Sequence, residues 1–152
     1  MEDKGRVLSR WTETIGVVGV IASLIFVGVE IRQNTQAVRG ATYQALTESS
    51  LELLFRISED PEVGGQIDQW GAGAELEPLV VSKVEALVTA YLRHLENAYY
   101  QMEEGTLRPE FLENWSGNPV FGLPHFGAFW ERRKRAFGVD FQRYFEERWG
   151  LR

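Results

Sequence analysis

The side chains in this sequence that could do chemistry are few: two histidines, a small set of serines and some spaced carboxylates. With no cysteine there is no thiolate metal site, no cysteine nucleophile and no disulfide framework. His94 lies beside an apolar stripe of helical period. A di-iron carboxylate bundle would need Glu-x-x-His on two helices, but Tyr91 stands three residues before His94 and no second copy follows. Glu48 and Glu52 share a helix face by their spacing and are expected to turn toward His94, which is still too sparse a set for a metal ion. His125, between Pro124 and Phe126, suits a helix start at least as well as catalysis. Ser49, Ser50 and Ser116 have no triad context, and nothing takes the Gly-x-Ser-x-Gly form of a nucleophile elbow. Gly64, Gly65, Gly71 and Gly73 form no phosphate loop, because no Gly-Lys-Ser/Thr follows them. Tyr91, Tyr99 and Tyr100 read as packing residues. The sequence therefore assigns no catalytic, cofactor-binding or metal-ligating residue, and a non-enzymatic protein is expected.

The elements that would position these residues begin with an apolar run. Thr14 to Val29 reads TIGVVGVIASLIFVGV, without charge or proline. As a helix it extends roughly 24 Å, a little less than the ~30 Å hydrocarbon core of a bilayer. Its flanks make up the difference. Trp11 suits the interface, and Arg10 and Arg32 have stems long enough to snorkel. The expected organisation is a flank over 1–10, a transmembrane anchor over 11–32 and a soluble α-helical domain over 33–152. Two other readings of such a run exist. A cleaved signal peptide would need an A-x-A-like site, which is not found before Glu30; a buried core helix is the other. Gly19 and Ser23, with Gly16 just before them, place small residues at the spacing that lets two helices approach closely in lipid. The favoured reading is that glycine is simply common in membrane helices, and the alternative is self-association along this face. A protein partner or homo-oligomer is expected for the chain as a whole.

The net charge of −6 is unevenly distributed. Between Gly40 and Ala128 the cations are Arg56, Lys83, Arg93 and Arg108, set among many more carboxylates. Such a body repels phosphates, so no nucleic-acid partner is expected. Basic residues gather beside the anchor (Lys4, Arg6, Arg10, Arg32, Arg39) and in the tail. Arg32, Asn34 and Arg39 form a polar collar at the membrane exit, suited to lipid phosphates or a partner subunit, or simply to a solvated helix face. Cations before and after the span nearly cancel, with a slight excess that places the N-terminus in the cytoplasm.

Past Val29 the next breaker is Asp60-Pro61, apart from Gly40, so one helix is predicted from about Trp11 to Ser58. Its passage EIRQNTQAVRGATYQAL, placed directly after a hydrophobic span, resembles a widespread set of short bacterial membrane proteins of uncharacterised function. In that set a span runs into a similar I-R-Q-N-T-x-A-x-R-x-A-T pattern and an α-helical remainder. The tail FWERRKRAFGVDFQRYFEE is similar to their usual ending. The resemblance covers the first third and, loosely, the tail. It implies an anchored helical protein at the cell membrane with its soluble part in the cytoplasm, and it implies no activity, substrate or cofactor. Lys4, Arg6 and Arg10 depart from the acidic N-terminus common in that set.

The soluble body is predicted as a turn over Pro61 to Ala74 with one short helical piece, then a long helix from Glu77 closed by Gly105. Val80, Val84, Leu87, Tyr91, Leu95, Ala98 and Met102 mark its apolar face. A short helix over Pro109–Trp115, a loop SGNPVFGLPHFG, a helix over Ala128–Phe137 and a helix from Phe141 to Trp149 capped by Asp140 follow. The expected fold is all-α: an anchor helix continuing into a long helix, packed with a second long helix and short C-terminal helices in a small bundle. The tail aromatics are expected to complete that core, with Arg132, Arg133 and Arg135 at its edges; the alternative is that the tail lies on the bilayer surface. The leading functional expectation is a membrane-anchored interaction module or accessory subunit of a membrane assembly. The second is a sensor or small-ligand-binding bundle, with Tyr91, His94 and Tyr99 at its pocket.

Overall fold

A computed structural model describes the backbone of residues 2–115 and 119–151, and the side chains of 11, 15–113 and 120–151. The side chains of Lys4, Arg6 and Arg10, and all of Ser116, lie outside the described residues. Among the described residues the fold is all-α: α1 (Glu2–Ser58), α2 (Pro61–Gly71), α3 (Pro78–Glu103), α4 (Pro109–Trp115), α5 (Pro124–Arg133) and α6 (Val139–Trp149). Short 3₁₀ turns at Pro119–Gly122 and Lys134–Ala136 lead into and out of α5. The chain divides into two compact units, Met1–Gly40 and Ala41–Arg152.

The first unit is helix alone. Its large apolar side chains from Ile15 to Ile31 are each 45–67% exposed. An unbroken run of non-proline residues satisfies each backbone donor and acceptor within the helix, which is what hydrocarbon demands of a chain.

The second unit is a bundle around α3. Val84, Val88, Leu92, Leu95, Ala98 and Tyr99 are 0–8% exposed. The apolar face predicted for α3 is therefore too narrow: Val88, Leu92 and Tyr99 lie as deep as Val84 and Leu95, while Leu87 and Met102 are half-buried. A helix with neighbours on several sides buries more than one stripe. It ends as predicted at Gly105, whose φ of 71° is left-handed. The amides of Gly105 and Thr106 reach back to the carbonyls of Met102 and Gln101 at 2.9 and 3.0 Å, a Schellman closure.

Three local predictions are corrected. The segment from Pro61, expected as a turn with one short helical piece, is a helix of three turns over Pro61–Gly71. Asp60 caps it by accepting from the Glu62 amide at 3.1 Å, Pro61 occupies its first turn, and Val63 and Trp70 are buried on its inner face. Burial of that face outweighs the cost of Gly64 and Gly65 inside the helix. α5 begins at Pro124, not Ala128, because Phe126 must be helical to reach the core beside Phe129 and Trp130. The cap of α6 is Gly138, not Asp140, so Asp140 lies in the first turn.

Aromatic rings fill the C-terminal side of the bundle. Trp130 meets Phe145 at 4.8 Å and Phe137 at 5.5 Å between ring centroids, and Phe121 meets Phe145 edge-on at 5.2 Å. Phe126, Phe129, Trp130, Phe137, Phe141 and Phe145 are 0–4% exposed, so the tail rings belong to the core and are not available to a bilayer surface. The indole of Trp130 donates to Glu146 at 3.2 Å, giving the buried ring a partner.

Candidate functional site

α1 carries most of the residues singled out from the sequence. Gly16, Gly19 and Ser23 are exposed, and a Cβ added at Gly16 or Gly19 would meet nothing within 4 Å. Trp11 is 65% exposed, and Arg32, Asn34 and Arg39 are all exposed farther along the helix. Thr35 donates to the Ile31 carbonyl at 2.9 Å, so its hydroxyl is satisfied by its own helix. The segment Ile15–Ser58 contains a window long and apolar enough to cross a membrane, and none of that window is buried.

The histidines separate. His94 is 8% exposed, and its Nε2 lies 2.9 Å from Ser50 Oγ on α1. Glu48 and Glu52, expected to face it, do not: Glu48 accepts from Gln44 and Glu52 from Arg56 on the exposed side of α1. The side chain that turns inward is Ser50, which lies four residues after the buried Leu46, while Glu48 and Glu52 flank it on the wet side of the same turns. The Ser50 hydroxyl also lies 2.6 Å from the Leu46 carbonyl of its own helix, which it can donate to. Burial holds the His94 pKa below the ordinary imidazole value, and the ring is neutral near pH 7. The contact ties α1 to α3. His125 takes the helix-start place, in the first turn of α5, with its ring edge-on to Trp70 at 5.1 Å. No group of three or more His, Asp or Glu side chains is placed to hold a metal among the described residues.

The tyrosines proposed for a pocket are engaged with other rings. Tyr91 lies 5.7 Å from Phe121, and Tyr99 packs on Tyr144 at 4.8 Å and on Phe141 at 5.8 Å. Burial raises the pKa of both Tyr99 and Tyr144.

The basic tail is partly spoken for. Arg132 and Arg133 both reach Glu85 of α3, at 2.7 and 3.4 Å, and Arg135 is exposed. A second cluster, missed in the sequence, joins α3 to the corner before α6. Glu96 accepts from Arg93 and from the Gly138 amide, both at 2.6 Å, while Arg93 donates to the Ala136 carbonyl at 2.7 Å and lies 4.6 Å over the Phe137 ring. Glu96 thus accepts from the backbone amide of the residue that caps α6, the bond a capping-box carboxylate in the first turn would otherwise make. Its only sequence signal is an Arg–Glu pair three residues apart on α3, which does not name a partner more than forty residues away.

Comparison with protein-family models, with curated proteins and with solved structures finds no match to this chain.

Proposed function

We propose that this protein is a single-pass, membrane-anchored interaction module, an accessory subunit of a larger membrane assembly. One observation carries the reading: eleven large apolar side chains between Ile15 and Ile31 are 45–67% exposed on a helix whose apolar window is not buried at all. Apolar surface on that scale is unfavourable in water and favourable in hydrocarbon. The collar of Arg32, Asn34 and Arg39 then sits at the headgroups, and Trp11 at the opposite interface. The bundle supports binding over catalysis. Its one serine–histidine contact is a hydrogen-bonded tie, and its tyrosines are packed against other rings. That packing also weighs against a ligand-binding sensor, whose pocket would have needed Tyr91, His94 and Tyr99 to line open space.

Two measurements test the reading. Carbonate extraction of membranes should leave the intact chain in the pellet; release into buffer ends the proposal. Purification in mild detergent should then bring down a protein partner or a homo-oligomer, and a chain recovered alone as a monomer removes the interaction role while leaving the anchor.

A further inference from the structure

One row of side chains on α1 keeps a stricter spacing than the apolar run around it. Val17, Val20, Leu24, Val27, Ile31, Asn34 and Val38 follow one another at alternating intervals of three and four residues. The apolar members are 45–66% exposed, and Asn34 is exposed as well. Such a repeat, about 3.5 residues on average, keeps one seam facing a partner helix along its whole length. Inside the span, where nearly every residue is apolar, the spacing decides nothing. Beyond Val29 it does. Between Glu30 and Arg39 the large apolar side chains are Ile31 and Val38, one heptad apart and in line with Val17 and Leu24. Val38 lies roughly 13 Å beyond Val29 along the helix, farther than lipid tails that cover the span can follow.

Shape, charge and hydrogen bonding all fit this row to a second copy of itself. The positions beside it are small, with Gly16, Ser23 and Ala37 along one edge and Gly28 and Thr35 along the other; Ile21 and Glu30 are the larger exceptions. A Cβ added at Gly16 or Gly28 would meet nothing within 4 Å, and Thr35 turns its hydroxyl back to the Ile31 carbonyl at 2.9 Å. Small edges let the larger side chains of a facing helix seat between them. The row itself carries no charge, and its edges carry one, at Glu30. Arg32 and Arg39 lie roughly 130° around the helix from the seam, so two copies meet without bringing their arginines together. Asn34 is the one polar member. Its amide both donates and accepts, so it can pair with the same group of an identical helix and fix the register.

We propose that this row is a parallel homodimer seam: Val17 to Val38 pack against the same residues of a second copy, with Asn34 paired to its counterpart at the membrane exit. The inference rests on the single-pass reading, because a shared bilayer holds both chains in one orientation and at one depth. Each seam residue then meets its own copy, as a two-fold interface requires. The seam names the partner which that reading leaves open. It is also a different face from the Gly19–Ser23 pair, since Gly19 lies on the far half of the helix.

The chain has no cysteine, so single cysteines can be placed one at a time over residues 30–39 of the full chain and oxidised in native membranes. A disulfide needs Cβ atoms about 4 Å apart, so a product of twice the chain mass should form with Ile31→Cys, Asn34→Cys and Val38→Cys. It should be lost with Arg32→Cys, Gln33→Cys, Gln36→Cys and Arg39→Cys. Adding Asn34→Arg, which sets a charge in the seam, should abolish the Ile31→Cys dimer, while Gln33→Arg on the outer face should keep it. The seam is overturned by cross-linking that is equal at all positions or follows another face, by a product with the mass of a different protein, or by a dimer that survives Asn34→Arg. Carbonate extraction of the same membranes reads the anchor separately. A chain held in the pellet without the seam-spaced dimer ends this proposal and leaves the anchor standing. A chain released into buffer ends the anchor reading, and the seam that rests on it falls too.

Discussion

The stretch 15–31 of α1 and the stretch 82–99 of α3 are both long, apolar and helical, yet they meet opposite surroundings. Large apolar side chains are 45–67% exposed in the first and 0–8% exposed in the second among those named as core. Their sequences foretell the difference. The first is apolar all round its circumference, so no face is left to meet water. The second keeps a wet face, on which Ser82, Lys83, Ala86, Arg93 and Asn97 recur at helical spacing and are exposed. A helix apolar on every side needs an apolar solvent, whereas a helix with a wet face needs partners on the other. The bundle supplies those partners for α3, while the large apolar side chains of 15–31 are exposed.

The comparison can be broken most forcefully by charging the uniform helix. Replacing Ile21 and Leu24 together with arginine should disfavour insertion by about 6 kcal/mol, at roughly 3 kcal/mol per central arginine, and move the chain from the pellet to the supernatant of carbonate-washed membranes. Unfolding of the bundle, followed by near-ultraviolet circular dichroism in detergent, should be unchanged by the same substitutions. Trp130→Ala should do the reverse. Loss of a 0%-exposed indole should cost the bundle about 3–5 kcal/mol in denaturant titration, with membrane retention intact. Were either substitution to affect both readouts equally, the two regions would not be held by separate forces.

Smaller changes sharpen the contrast. Gly105→Ala forces a Cβ into a left-handed position with φ of 71° and should lower bundle stability by about 1–2 kcal/mol. Gly16→Ala should leave it unchanged, because a Cβ there meets open space. The mildest test alters pH alone. Burial depresses the folded-state pKa of His94 from its ordinary 6.5, so between the two values the unfolded chain binds more protons than the folded one. The contribution of His94 to stability is therefore complete above about pH 6.5 and declines as pH falls toward its folded value. Asp60 behaves in the same sense at lower pH. The hydrogen bond from Lys83, followed by that from the Glu62 amide, holds its carboxyl below the ordinary 3.8, so its contribution is lost as pH falls below about 4. Denaturant midpoints across this range should show the first decline in the wild type and not in His94→Gln.

Local rules decide a large share of this fold. The unbroken run to Asp60-Pro61, the left-handed Gly105 and the prolines at the starts of α3 and α4 are statements about neighbouring residues, and the structure follows them. The same rules fail where burial overrules propensity. Gly64 and Gly65 argue for a turn over 61–71, but Val63 and Trp70 gain more from a buried helical face than the glycines cost. The apolar start of α5 is hidden in a passage rich in proline and glycine for the same reason.

What the sequence determined by itself is where α1 and α3 end and where α4 begins, which helix is apolar on all sides, and that the middle of the chain is acidic. Each of these depends on residues within a turn or two of one another, so the information is local. Only tertiary structure decided that Ser50, and not Glu48 or Glu52, meets His94, and that Glu96 accepts from the amide of Gly138 at the cap of α6. The rotation of one helix against another is set by how large side chains pack between them. A turn of about 100° per residue therefore decides which of three neighbouring polar groups is buried with the histidine and which face water.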